Sequence, residues 1–89
     1  MTYHVEFTEK AKKFLKKLDK YTAKIITSWI RKNLEGCSDP RHTGKGLTSN
    51  RSGQWQYRVG DYRILADIQE NKVLILVLDI GHRRDIYDD

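Results

Sequence analysis

The chain has 89 residues, with 17 lysines and arginines against 12 aspartates and glutamates, a formal charge of +5. That length holds one domain, residues 1–89, with a thin core, and the positive excess suggests an anionic partner, either nucleic acid or an acidic protein. The single cysteine, Cys37, excludes an internal disulfide and a cysteine-based zinc site. The longest apolar run, Val73 to Leu78, is far short of the roughly 20 residues of a membrane span. With no signal pattern at Met1, a cytoplasmic protein is expected.

In chain order, residues 2–7 alternate, with Tyr3, Val5 and Phe7 on one face, the pattern of a half-buried strand. Thr8 fits a helix N-cap, and Ala11, Phe14, Leu15 and Leu18 form the apolar stripe of an amphipathic helix. A second helix restarts at Asp19-Lys20 or Thr22, carries Ile25, Ile26, Trp29, Ile30 and Leu34, and ends at Gly36. Residues 36–53 hold four of the six glycines and the only proline, Pro40, and read as a basic loop with Arg41, His42, Lys45 and Arg51. From Gln54 the period becomes two: strands at 54–59, 62–69 and 72–80 are joined by Gly60-Asp61 and Glu70-Asn71. The last strand is apolar on both faces and belongs in the sheet interior. The class is α+β, in the order β-α-α-β-β-β, with an antiparallel sheet and an N-terminal helical hairpin packed on one face.

Two-residue turns fix a register. Arg58 falls opposite Arg63, on the face away from Tyr57, Val59, Tyr62 and Ile64. Like charges in that position repel unless neutralised, either by a phosphate or by Asp61, Asp67 or Asp79. The second turn sets Ile68 opposite Val73 and Arg63 opposite Leu78. Gly81 then lets His82, Arg83 and Tyr87 gather near the two arginines. Cleavage of RNA by its own 2′-hydroxyl needs a base, cations on the phosphate and an acid for the 5′ oxygen. Histidine, arginine and tyrosine supply those roles without a metal, and His4, His42 and His82 are too scattered for a ligand set. Seven lysines crowd residues 10–24, including Lys10, Lys12, Lys13, Lys16 and Lys17, and suit RNA backbone contacts.

The strings WQYRVGDYRI (55–64) and LVLDIGHRRDIY (76–87) resemble the motifs of the RelE/ParE toxin superfamily, as do HVEFTEKAKKFLKKLDK at the start and GKGLTSNRSGQW in the linker. The resemblance implies a RelE-like α+β toxin encoded with an antitoxin. RelE-like members act in the ribosomal A site and cut messenger RNA to a 2′,3′-cyclic phosphate. ParE-like members share the fold and poison DNA gyrase. By motif, Arg63, Arg83 and Tyr87 match active-site positions, Arg58 a further basic position, and His82 a position where a basic residue often stands. Gln54 and Gln56 stand where some RelE proteins carry lysines. The base is then His82, with Tyr87 as the alternative. The expected activity is a metal- and cofactor-independent endoribonuclease working with ribosome and messenger and held by a cognate antitoxin. A gyrase inhibitor is the alternative, and a non-toxic binding domain a third. Contacts with RNA are expected from Arg58, Lys45, Arg51 and the lysines of the first helix.

Overall fold

Thr8 marks the change from strand to helix. In the computed structural model, which describes residues 1–47 and 54–84, its Oγ1 accepts from the Ala11 N–H at 3.2 Å and donates to the Leu78 carbonyl at 2.8 Å. One side chain thus caps a helix and ties it to the last strand. The elements are β1 (His4–Phe7), α1 (Glu9–Lys17), α2 (Lys20–Asn33), β2 (Lys45–Gly46), β3 (Trp55–Val59), β4 (Tyr62–Gln69), a 3-10 turn (Glu70–Lys72) and β5 (Leu74–His82). The second helix starts at Lys20 because the Asp19 carboxylate accepts from the Thr22 N–H at 3.0 Å.

The five strands form one sheet in the order β1-β5-β4-β3-β2. As its two apolar faces suggest, β5 lies inside. Two features differ from a purely antiparallel β-α-α-β-β-β sheet. β1 runs parallel to β5, with Val5 opposite Ile75 and Phe7 opposite Val77. The glycine-rich segment also yields a short edge strand, β2, which pairs Lys45 with Gln56.

The first hairpin has the expected register, with Arg58 opposite Arg63 and Val59 opposite Tyr62. The second does not. Its turn takes Glu70 through Val73, so Ile68 meets Ile75 instead of Val73. A shift of two keeps each residue on its face. A bulge then adds Leu78 to β5, since Ala66 faces Val77 while Leu65 faces Asp79. Arg63 therefore lies opposite Gly81, not Leu78, and Tyr62 lies opposite His82.

The helices cover one face. Ala11, Ile26, Ile30 and Leu34 bury against Tyr57, Val59, Ile64, Ala66, Ile75, Val77 and Ile80. The other face is open and carries a smaller cluster, Leu47 on Leu65. The outer edge of β1 is closed by the chain that follows α2. The Tyr3 N–H donates to Cys37, the Gly36 N–H to Tyr3, and the Val5 N–H to the Glu35 carboxylate at 3.0 Å. Covering an edge this way denies it to other chains.

Candidate active site

Arg58 and Arg63 stand side by side on the open face. Arg58 is exposed, while Arg63, on the more central β4, is only 9% exposed. Gln56, two residues before Arg58 and so on the same face, is 2% exposed. Lys45 reaches this face from β2, opposite Gln56. These four residues and Gly44 line a concave patch of about 210 Å³. Lys45, Gln56 and Arg63 are each engaged in further interactions.

The segment before Lys45 is held against β3 by aromatic anchors. The Tyr57 hydroxyl, fully buried, donates to the Pro40 carbonyl, and the Trp55 Nε1–H donates to the Thr43 carbonyl at 2.7 Å. Burial pushes the Tyr57 phenol far above its ordinary pKa, so it remains a neutral donor. The Arg41 guanidinium lies 5.9 Å from the Trp55 ring centroid and reaches Glu70 at 3.3 Å. Gly44 follows at φ +84°, where a Cβ would sit 2.7 Å from the Trp55 Nε1. Only glycine lets the chain pass this close and deliver Lys45 to the patch.

The other predicted residues distribute differently. His82 does not join the arginines. It lies across from Tyr62, with ring centroids 5.5 Å apart, and Tyr62 meets Phe14 of α1 at 6.3 Å. The histidine is therefore on the helix side of the sheet. The longer turn and the bulge put Gly81, which has no side chain, opposite Arg63. The His82 Nδ1 accepts from the Arg84 N–H at 3.2 Å, which leaves Nε2 to carry the proton of the neutral ring. Arg83 is exposed beside the first hairpin turn. Its N–H donates to the Asp61 carbonyl at 2.8 Å, and its Nε lies 4.0 Å from the Asp61 carboxylate. Tyr87 and Arg51 lie outside the described residues.

Of the other candidate neutralising carboxylates, Asp79 pairs with Lys10 at 3.2 Å, and Asp67 accepts from the Gln69 side chain at 3.0 Å. Lys12, Lys13, Lys16 and Lys17 are exposed on α1, with Lys12 near Glu9 at 3.6 Å. Lys10 reaches round to Asp79, which stands opposite Leu65 on the open face, and the charge of the α1 lysines is partly offset. Sequence reasoning had Lys45 as an RNA contact and Gln56 at a family site position, but missed the short strand that sets Lys45 opposite Gln56. The signal was Gly44-Lys-Gly46, two glycines bracketing a cation just ahead of a strand. Among the described residues, no group of three or more histidines, cysteines and carboxylates could hold a metal.

The residues that line the patch include two arginines, a lysine and a glutamine, a set whose chemistry suits one phosphodiester group. The chain belongs to the RelE/ParE toxin family of type II toxin–antitoxin systems, since the family model "ParE toxin of type II toxin-antitoxin system, parDE" matches residues 5–87. It is 31% identical over 87 residues to Toxin RelG of Mycobacterium tuberculosis, covering 98% of each chain. Its fold is similar to the toxin–antitoxin complex RelBE2 of the same organism, with a TM-score of 0.84, 28% identity and coverage of 96% of this chain and 95% of that one. It is also similar to the archaeal RelE-RelB complex of Pyrococcus horikoshii, with a TM-score of 0.71, 25% identity and coverage of 97% and 100%.

Proposed function

We propose that this toxin is a ribosome-dependent messenger endoribonuclease, acting in the cytoplasm on A-site messenger and held inactive by a cognate antitoxin. The observation that carries the reading is the convergence of Arg58, Arg63 and Lys45 on one concave patch. The relative named RelG and the RelE–RelB complexes among similar structures support it. In the proposed reaction the 2′-oxygen attacks the adjacent phosphorus, and the bond to the 5′ oxygen breaks. The products are a 2′,3′-cyclic phosphate and a free 5′-hydroxyl. The patch cations stabilise the negative charge that builds on the phosphoryl oxygens. Arg83, exposed beside the β3–β4 turn, would extend the grip along the backbone. Of the two candidate bases, His82 is packed against Tyr62 on the helix side, so Tyr87, as its phenolate, takes the proton of the 2′-hydroxyl, and the departing 5′ oxygen takes a proton from water. No step requires a metal or cofactor, and ribosomal RNA supplies the remaining contacts for the lysines.

The test is a cell-free translation reaction in which messenger ends are mapped. Wild type cuts within the A-site codon. Arg63→Lys, which removes the fork and keeps the charge, and Tyr87→Phe each lose at least about 100-fold, whereas His82→Ala stays within about tenfold. Ongoing translation with uncut messenger would refute the reading. The gyrase alternative draws on the ParE description of the family model. It calls for gyrase inhibition that survives Arg63→Lys and Tyr87→Phe.

A further inference from the structure

A second cavity opens beside the arginine patch. It measures about 210 Å³ and is lined by Arg41, Gly46, Leu47, Gln54, Trp55 and Ile68. That is smaller than the pocket of a drug-sized ligand and suits a single small ring system. Its walls are of two kinds. Leu47 and Ile68 are aliphatic, while Trp55 brings an indole and Arg41 a guanidinium. The indole is held in place, because its Nε1–H donates to the Thr43 carbonyl at 2.7 Å. A Cβ at Gly46 would stand 3.2 Å from the Trp55 Cζ3, so glycine keeps the benzo end of the ring clear. The Arg41 guanidinium lies over the ring, 5.9 Å from its centroid, and Glu70 steadies it at 3.3 Å. That spacing is near the outer limit of a cation–π contact, so the two flat groups are not closed on each other.

Position identifies the ligand. Lys45 and Gln56, paired between β2 and β3, line the arginine patch. Gly46 and Trp55, the next pair, line the cavity. One strand step, about 3.3 Å, separates the two pairs, and β2 is the edge of the sheet. A chain molecule can therefore set an anion in the patch and, by turning round this edge, set the adjoining ring in the cavity. A nucleotide has that form. Its base offers a flat π-face, and unpaired bases are held by aromatic rings and arginine planes. An aromatic side chain of a protein fits the walls as well, but its backbone carries no charge to set in the patch one step away.

We propose that the cavity between Arg41 and Trp55 is a nucleobase subsite, which takes the base of the nucleotide whose phosphate lies in the arginine patch. Assigning that nucleotide to messenger RNA rests on the proposed function, but the binding of a base does not. Stacking at Trp55 fixes the register of the strand, so that one particular phosphate reaches Arg58, Arg63 and Lys45.

The experiment titrates isotope-labelled protein with a trinucleotide whose 2′-oxygens are methylated, so that it cannot be cleaved. The Trp55 indole N–H shifts, while the Trp29 indole, packed on Tyr57 with ring centroids 5.8 Å apart, stays in place as an internal control. The same backbone with its bases removed leaves the Trp55 indole unmoved. Arg41→Gln, a surface change checked by an unaltered melting curve, weakens the trinucleotide at least about fivefold and leaves the base-free backbone nearly unaffected. The inference is overturned if the trinucleotide does not move the Trp55 indole, or if the base-free backbone moves it equally. It is also overturned if a blocked phenylalanine peptide moves it at lower concentration than the RNA. Messenger cleavage in the cell-free reaction is measured in parallel. If the Trp55 indole follows the bases and no messenger is cut, the endoribonuclease reading falls while the subsite stands. Cleavage with an unmoved indole overturns the subsite alone.

Discussion

Lys45 shows how one residue changes meaning once its neighbours are known. In the sequence it sits in a loop among glycines, where a basic residue reads as a general RNA contact. In the fold it is paired with Gln56 and shares a patch with two arginines. A strand of two residues has no period to detect, so that placement was not legible. If the patch binds the scissile phosphate, Lys45→Ala should slow cleavage about 10- to 100-fold. Its melting curve should match wild type because the residue is exposed on an edge strand, and Lys45→Arg should recover most of the rate. Messenger-end mapping with each variant checks this; an unimpaired alanine variant would remove Lys45 from the site. Glu35 makes a different kind of residue-level statement. Chiefly through the Val5 N–H, and with His4 nearby, its carboxyl is held below the ordinary 4.5. A depressed carboxylate stabilises the fold fully above that value, and the contribution is lost as pH falls through the folded pKa. Glu35→Gln should therefore unfold at lower urea than wild type at neutral pH, with the gap narrowing in acid. Urea midpoints across that range decide it; a constant gap would mean that the charge is not what matters.

At the scale of elements, legibility followed locality. The β3–β4 hairpin was readable because Gly60 adopts φ 59° in a two-residue turn, and the Arg58–Arg63 pairing came with it. The β4–β5 turn was not, because the left-handed position falls on Val73, at φ 51°, and not on Asn71. A β-branched residue there is strained by about 1–3 kcal/mol, so no turn rule would choose it. The error reached the site: the longer turn and the bulge at Leu78 carried His82 to the helix side and put Gly81 beside Arg63. Val73→Asn tests the strain directly. Asparagine tolerates the left-handed region, and the Val73 backbone bonds to Glu70 and His4 need no particular side chain. The variant should gain about 0.5–1 kcal/mol in unfolding free energy, seen as a higher urea midpoint at constant slope. A lower midpoint would show that the valine methyls contribute more by packing than the backbone loses by strain.

For the whole molecule, the sheet divides the charge in space. One face carries the arginine patch, and the other carries the helices with their lysines, of which Lys10 reaches round to Asp79. The composition already showed a basic chain, but only the topology shows that its charge is divided between faces. The same topology joins the start of the chain to its end, because β1 pairs in parallel with β5. No local pattern announces such a pairing, which is why the strand existed in the sequence reading without a partner. Its consequences are global. β1 is the lid on β5, a strand with apolar residues on both faces, and Tyr3 and Val5 in turn carry the segment that closes the sheet edge. Removing residues 1–7 should bare the β5 edge along Leu74 to Val77 and withdraw Val5 and Phe7 from the core. An exposed apolar edge of that kind recruits other chains. The truncated protein is therefore expected to lose its cooperative urea transition and to sediment as oligomers, while Tyr3→Ala in the full chain stays monomeric. A truncated chain that remained monomeric and unfolded cooperatively would mean that α1, α2 and the β3–β4–β5 meander hold the fold without the parallel strand.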